Sequence, residues 1–196
     1  AMAATIGASG IELLLNLGKL VLTLYVALVV FVLVALVPVA LLFRIPLRAF
    51  WKRAREPWLI AFTTASSEAA LPLAMENMEK FGVPRRIVAF VLPTGYSFNL
   101  DGSTLYLSVA ALFVAQAAGA DLTISQQLVI MLTLMLTSKG VAAVPRASLV
   151  ILSGALATFG LPLEGVAVIL GVDAFMDMAR TSVNLLGNCL ASAAMA

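Results

Sequence analysis

Apolar residues fill Leu20 to Phe43 without one charged side chain. At about 1.5 Å per residue the run crosses a hydrocarbon core about 30 Å thick. It predicts a transmembrane helix over 17–44, kinked at Pro38. Residues 1–16 read as the end of a preceding helix plus a connection. Two basic clusters follow, Arg44, Arg48, Lys52, Arg53 and Arg55, then Lys80, Arg85 and Arg86, together eight of the twelve Lys and Arg. Cytoplasmic loops carry the excess of basic residues, so both clusters are placed in the cytoplasm. The stretch between them has a polar middle, Thr63-Thr64-Ala65-Ser66-Ser67-Glu68, followed by Pro72. One crossing cannot return the chain to the same side. Residues 46–81 are therefore expected to form a re-entrant hairpin with its tip at 65–69, a form that persists only where protein or a water-filled cavity covers the backbone.

The same pattern continues. Residues 84–118 are long enough to cross but contain Pro93, Gly95 and Asn99-Leu100-Asp101-Gly102-Ser103, which favour unwound backbone and predict a broken helix. The loops at Gly119–Thr123 and Gly160–Glu164 carry only acidic charges, as expected outside. Between them, 123–159 has the polar, Gly/Pro-marked middle Thr137 to Arg146 and predicts a second re-entrant hairpin, entering from the opposite side. Residues 163–196 form the last transmembrane helix. Ala69-Ala70-Leu71-Pro72 recurs as Ala142-Ala143-Val144-Pro145, and the same offset carries the Asn99–Ser103 break to Val172–Met176 of that helix. Two hairpin-plus-helix units of opposite entry side make an inverted repeat, an arrangement that places substrate sites near the bilayer midplane.

Composition sharpens the class. Apolar residues are 62% of the 196 and charged residues 11%, with mean hydropathy +1.08; soluble domains average about 45–50% and about 25%. An all-α membrane protein is expected, and a soluble enzyme core is excluded. There is no His, and the lone Cys189 allows no internal disulfide or Cys-pair metal site. A net charge of +2 gives no footing for nucleic acid. The chain opens without a basic, signal-like segment and closes on apolar residues, and it reads as the carboxyl part of a longer protein.

The chemistry sits on the last helix. Asp173, Asp177, Arg180, Thr181, Asn184 and Asn188 recur every three or four residues and form one polar stripe. Ionisable groups inside a membrane helix are costly and usually mark a pathway or site. An Asp177–Arg180 pair that only knits the bundle is the alternative. Arg180 offers a planar fork for a carboxylate, and Asp177, one turn earlier, suits an ammonium. Together they describe a receptor for an acidic amino acid.

Ser66-Ser67-Glu68, Asn99-Leu100-Asp101-Gly102-Ser103 and Asp177-Met178-Ala179-Arg180-Thr181-Ser182-Val183-Asn184 resemble the signature segments of the dicarboxylate/amino acid:cation symporters, the glutamate transporters and their bacterial relatives. The resemblance covers essentially the whole chain. It implies an elevator-type transport core with two inverted re-entrant hairpins and two broken transmembrane helices, sliding against a trimeric scaffold most of which lies in an amino-terminal part. Carried over by position, Arg180 holds the substrate side-chain carboxylate and Asp177 its amino group. Asn184 and Ser67 serve the main-chain carboxylate, Ser66, Ser103 and Thr181 lie nearby, and Val144 to Ser148 form the extracellular gate.

Departures from the family pattern concern the coupling ion, whose expected positions are Glu68, Ser97, Asn99, Asp101, Lys139 and Asn188. Sodium-coupled members carry Asp where this chain has Asn188, an apolar residue where it has Lys139, and a small polar residue where it has Glu68. An amide lacks the charge that offsets dehydration of a cation, an ammonium repels or replaces one, and a carboxylate beside the substrate can take a proton. Taken singly, Lys139 can snorkel and Glu68 can pair with Lys139 or Arg180. Asn99 and Asp101 are kept, so residual sodium stays open there. An Arg often found at the Ala65 or Met178 position is absent.

The expected function is proton-coupled symport of glutamate or aspartate across the bacterial inner membrane, with no cofactor besides the coupling ion and a homotrimer as the full-length assembly. The rivals are a C4-dicarboxylate or sodium-coupled symporter of the same family and an inactive truncated module. An enzyme is not expected, for want of a His, a metal-ligand cluster or a Ser with a base. A substrate without an amino group would leave Asp177 unpaired in low dielectric.

Overall fold

The computed structural model describes residues 2–138 and 147–196, and every regular element among them is helical. Helix α1 (Met2–Phe31) is interrupted at Gly10, whose φ of 72° and ψ of −171° no helix contains. The connection expected across residues 1–16 thus shrinks to one glycine, and the long helix starts several residues before position 17. Leu17, Leu20, Leu24 and Leu28 face inward, while Leu22, Val26, Val29, Val30, Leu33 and Val34 are exposed. A helix apolar on both faces suits a lipid surround. A π-helical turn (Val32–Leu36) joins α1 to α2 (Val37–Leu42), with Val37 donating to the Val32 carbonyl. It lies just ahead of Pro38, whose ring displaces the carbonyl four residues back and whose missing N–H breaks the ladder.

Helices α3 (Leu47–Thr64) and α4 (Ser67–Phe81) pack closely as a hairpin. Their connection is two residues long: Ala65 in the left-handed region (φ 50°, ψ 32°) and Ser66 as the N-cap of α4. Ser66 Oγ accepts from the Ala69 N–H at 3.2 Å, satisfying one of the orphan donors of a helix start. Pro57 lies inside α3 and has no N–H for the Arg53 carbonyl. Buried Asn77 of α4 supplies one instead, its Nδ2 donating to Arg53 O at 3.0 Å. The proline that weakens one helix thereby becomes a stitch between two.

Helices α5 (Arg85–Phe98) and α6 (Asp101–Ala117) continue one another across a break at Asn99–Leu100. Helix α7 (Ile124–Thr137) starts in a capping box of Thr123 and Gln126, and α8 (Ala147–Thr158) follows. The tip between them, with Lys139 and Val144, lies outside the described residues. Helices α9 (Glu164–Ile169) and α10 (Asp173–Ala194) are separated at Leu170–Val172, so the second broken helix interrupts beside the position carried over by the repeat.

Helix α10 packs against α1, α3, α4, α5 and α6. Its amino-terminal half (Met176, Ala179, Val183) belongs to one apolar cluster with α1, α6 and the α7–α9 region. Its carboxyl-terminal half (Leu185, Cys189, Leu190) belongs to a second with α3, α4 and α5. The polar stripe runs along the one helix shared by both.

Candidate functional site

Arg180 is 3% exposed, and its Nε donates to Asp177 Oδ1 at 2.9 Å. Thr181 Oγ1 donates to the same oxygen at 2.9 Å, so two residues of the following turn hold the carboxylate. The guanidinium carbon lies 4.3 Å from the centroid of the Tyr106 ring, a cation–π contact strengthened by the lack of water. Tyr106 is itself fixed, its hydroxyl donating to Asp173 Oδ1 at 2.9 Å. Asp173, Tyr106, Arg180, Asp177 and Thr181 are thus one connected polar network across α6 and α10. One Arg180 donor, Nη1, is buried without a partner among the described residues. A buried donor on a charged group left unpaired costs at least about 1–3 kcal/mol, while Asp177 keeps 14% of its side chain accessible. The arrangement presents an unused cationic donor and a reachable carboxylate one turn apart.

The broken helix is built onto the same stripe. Asn184 Oδ1 accepts from the Gly102 N–H at 2.8 Å and the Ser103 N–H at 3.3 Å, and its Nδ2 donates to Ser103 Oγ at 2.9 Å. A side chain of α10 therefore caps the start of α6, where four backbone donors lack intrahelical acceptors. This close approach requires glycine. A Cβ at Gly102 would lie 2.3 Å from the Arg180 carbonyl oxygen, and one at Gly95 would lie 2.1 Å from Asn188 Oδ1.

Beyond Asn184 the stripe meets the break itself. The Asn99 and Asn188 amides are linked at 3.1 Å. The other side of the Asn99 amide faces Asp101, with the carboxylate oxygens at 3.0 and 3.1 Å, so its nitrogen satisfies Asp101 when turned that way. One end of the buried Asn188 amide has no partner among the described residues. Asp101, Asn99 and Asn188 form an oxygen-rich row carrying one formal negative charge, a donor set a hard monovalent cation would accept. No group of three or more His, Cys, Asp or Glu suited to a metal occurs among the described residues.

The expected residues separate into two sets. The structure brings together Ser103, Asp177, Arg180, Thr181 and Asn184, and beside them Asn99, Asp101 and Asn188. Ser66, Ser67 and Glu68 sit at the α3–α4 turn, and no hydrogen bond joins them to α10. Glu68 is exposed and makes no ion pair with Arg180, whose carboxylate partner is Asp177. Ser97, half-buried on α5, has no side-chain hydrogen bond among the described residues. Lys139 and Val144 lie outside them. Ser138, fully buried just ahead of Lys139, approaches Thr104 Oγ1 at 3.4 Å, which ties the end of α7 to the first turn of α6. Sequence reasoning missed Tyr106, a polar tip in an apolar run. Buried Tyr usually finds a hydrogen-bond partner, and that was the available signal.

Comparison with known proteins converges on one family. The model of the sodium:dicarboxylate symporter family matches residues 1–196. The chain is 51% identical over 191 residues to a proton/sodium-glutamate symport protein of Geobacillus stearothermophilus, covering 97% of this chain and 45% of that protein. It is 49% identical over 190 residues to the proton/glutamate-aspartate symporter of Escherichia coli K12, covering 97% and 44%. A C4-dicarboxylate transport protein of Bacillus subtilis is 44% identical over 193 residues, covering 98% and 46%. The chain thus spans somewhat less than half the length of these relatives. With a whole-chain family match, and with every regular element among the described residues helical, the chain belongs to the sodium:dicarboxylate symporter family, whose members are integral membrane transporters and not enzymes.

Proposed function

We propose that this chain forms the substrate-carrying core of an acidic amino acid symporter, taking glutamate or aspartate together with a proton across the bacterial inner membrane. The observation that carries the proposal is the buried Arg180, held by Asp177 and the Tyr106 ring, with Nη1 unpartnered among the described residues. A substrate carboxylate gives that nitrogen an acceptor and shares the planar fork. The substrate ammonium sits on the accessible side of Asp177, leaving the Arg180–Asp177 bond in place. Ser103 and the start of α6 flank the main-chain carboxylate, with Ser67 reaching it from the α3–α4 turn. The names of the glutamate and glutamate-aspartate relatives support the substrate class.

The same reading makes α3–α4 and α7–α8 two re-entrant hairpins of opposite entry side, the second gating the site from outside at Val144 to Ser148. The core slides as an elevator within a homotrimer. Glu68 carries the proton: it is a carboxylate at the α3–α4 turn, next to Ser67, and forms no ion pair among the described residues. Asn188 is a neutral amide where sodium-coupled members carry a carboxylate, and Lys139, already a cation, repels or replaces a sodium; residual sodium would sit at Asn99 and Asp101.

Isothermal titration of the protein as it occurs in the membrane, with aspartate and with succinate, tests the substrate assignment. Aspartate should bind at least tenfold tighter than succinate, Arg180→Ala should abolish binding of both, and Asp177→Ser should erase the preference. An Asp177→Ser variant that still prefers aspartate would remove Asp177 from the ammonium site. Equal binding of both ligands by the unaltered protein would favour a dicarboxylate symporter.

A further inference from the structure

On α3, Trp51, Trp58 and Phe62 fall on one helix face. The Trp58 ring lies 5.7 Å from that of Trp51 and 5.6 Å from that of Phe62, stacked on the latter at 18°. With α1 and α10 they line an apolar groove of about 380 Å³ whose far wall includes Val29 and Leu33. Both of these are well exposed, at 58% and 60%, so the groove opens onto the outward apolar face of α1. Beside the aromatic row, at i+3 and i+4 spacing, runs a second row of Arg48, Lys52 and Arg55. All three are exposed, and none forms an ion pair among the described residues.

The two rows differ in extent. The cations occupy the first half of α3, and the aromatics continue past them. From Trp51 to Phe62 the groove covers about 16 Å of helix at about 1.5 Å per residue, close to half of a hydrocarbon core about 30 Å thick. Tryptophan favours the membrane–water boundary, and the basic row marks the same level. A cationic rim, an aromatic collar and an apolar trough one leaflet long match, in order, the head, glycerol level and acyl chain of an anionic phospholipid. A protein segment covering the groove would have to bring acidic residues for three cations that form no ion pair among the described residues.

We propose that the α1–α3–α10 groove is a binding site for an anionic phospholipid, its headgroup on Arg48, Lys52 and Arg55 and one acyl chain along Trp51, Trp58 and Phe62. Ser182 and Val183 of α10 also line this groove, within three residues of Arg180. An acyl chain there therefore packs against the back of the helix that carries the substrate pair.

Trp51 and Trp58 are the only two tryptophans in the chain, so they report on the groove directly. The 196-residue chain is reconstituted in vesicles in which either phosphatidylglycerol or phosphatidylcholine carries brominated acyl chains, at equal mole fraction, and tryptophan quenching is measured. Brominated phosphatidylglycerol should quench with an apparent association constant at least about fivefold above that of brominated phosphatidylcholine, the factor expected from one basic residue near an anionic surface. The triple substitution R48Q/K52Q/R55Q should bring the two constants together, and so should raising the salt concentration on the unaltered chain, since exposed charges are screened. Equal quenching by both lipids in the unaltered chain would reduce the groove to ordinary lipid contact and overturn the proposal. Absence of quenching by either lipid would mean that protein covers the groove, and would overturn it too.

Discussion

At the scale of single residues, the site depends on a few side chains that each do two things. Tyr106 supports the Arg180 guanidinium with its ring and anchors itself to Asp173 with its hydroxyl. Tyr106→Phe keeps the ring and loses the anchor, so aspartate affinity should fall about three- to tenfold, whereas Tyr106→Leu should lower it further; titration calorimetry on both variants checks the order, the difference being the cation–π contribution of about 1 kcal/mol or more. Asn184 caps α6 with its oxygen and holds Ser103 with its nitrogen. Asn184→Ala should therefore cost about 1–2 kcal/mol of stability, read as a lower midpoint of thermal unfolding in detergent. Much of this site was readable from one chain: the spacing of Asp173, Asp177, Arg180, Thr181, Asn184 and Asn188 defines one helix face, and the structure keeps it. The role of Tyr106 was not readable, because a single aromatic in an apolar helix carries no period and its partner is 67 residues away. Nor was the commitment of Asn184 to capping, since that follows from which helix start is brought against α10.

At the scale of elements, helix breaks and prolines decide what the segments can do. Pro57 and Asn77 are complementary: one removes a donor from α3 and the other returns it from α4. Asn77→Leu should leave the Arg53 carbonyl unpaired and cost about 1–3 kcal/mol, and hydrogen exchange should show faster opening of the α3–α4 hairpin than of α6. The turn itself sets Ala65 at φ 50°, where a β-carbon is tolerated at a cost of about 1–2 kcal/mol. Ala65→Gly should leave thermal stability unchanged or raise it, while β-branched Ala65→Val should lower it by about 1 kcal/mol or more. The break at Asn99–Leu100 and the turn at Ala65–Ser66 were visible beforehand because Asn, Asp, Gly and Ser interrupt long apolar runs there. The start of α1 was not, since Gly10 stands among small apolar residues that give no polar boundary. The split between α9 and α10 was marked only indirectly, through the offset of the repeat; Gly171 alone in an apolar stretch is weak punctuation.

At the scale of the whole molecule, α10 holds two apolar clusters together and carries the polar stripe between them, so under the proposed function a substrate on the stripe would bear on both clusters. The charge pattern is what leads to the expectation of paired hairpins: basic clusters flank the α3–α4 segment at both ends, and the loops at Gly119–Thr123 and Gly160–Glu164 carry only acidic charges. What charge and spacing could not convey was how α5 and α6 dock on α10, which depends on Gly95 and Gly102 meeting Asn188 and the Arg180 backbone. Under the proposed arrangement, single cysteines near Ala65 should react with a polar thiol reagent from the cytoplasmic side and those near Ala143 from the outside; labelling of both from one side only would contradict the inverted pair. The most direct measurement is aspartate uptake into proteoliposomes driven by an inward proton gradient in the absence of sodium. Uptake should follow the gradient, stop when it is collapsed, and lose its dependence on it, or cease, in Glu68→Gln. Uptake that strictly requires sodium and ignores the proton gradient would contradict proton coupling through Glu68 and assign the coupling ion to the Asn99–Asp101 row.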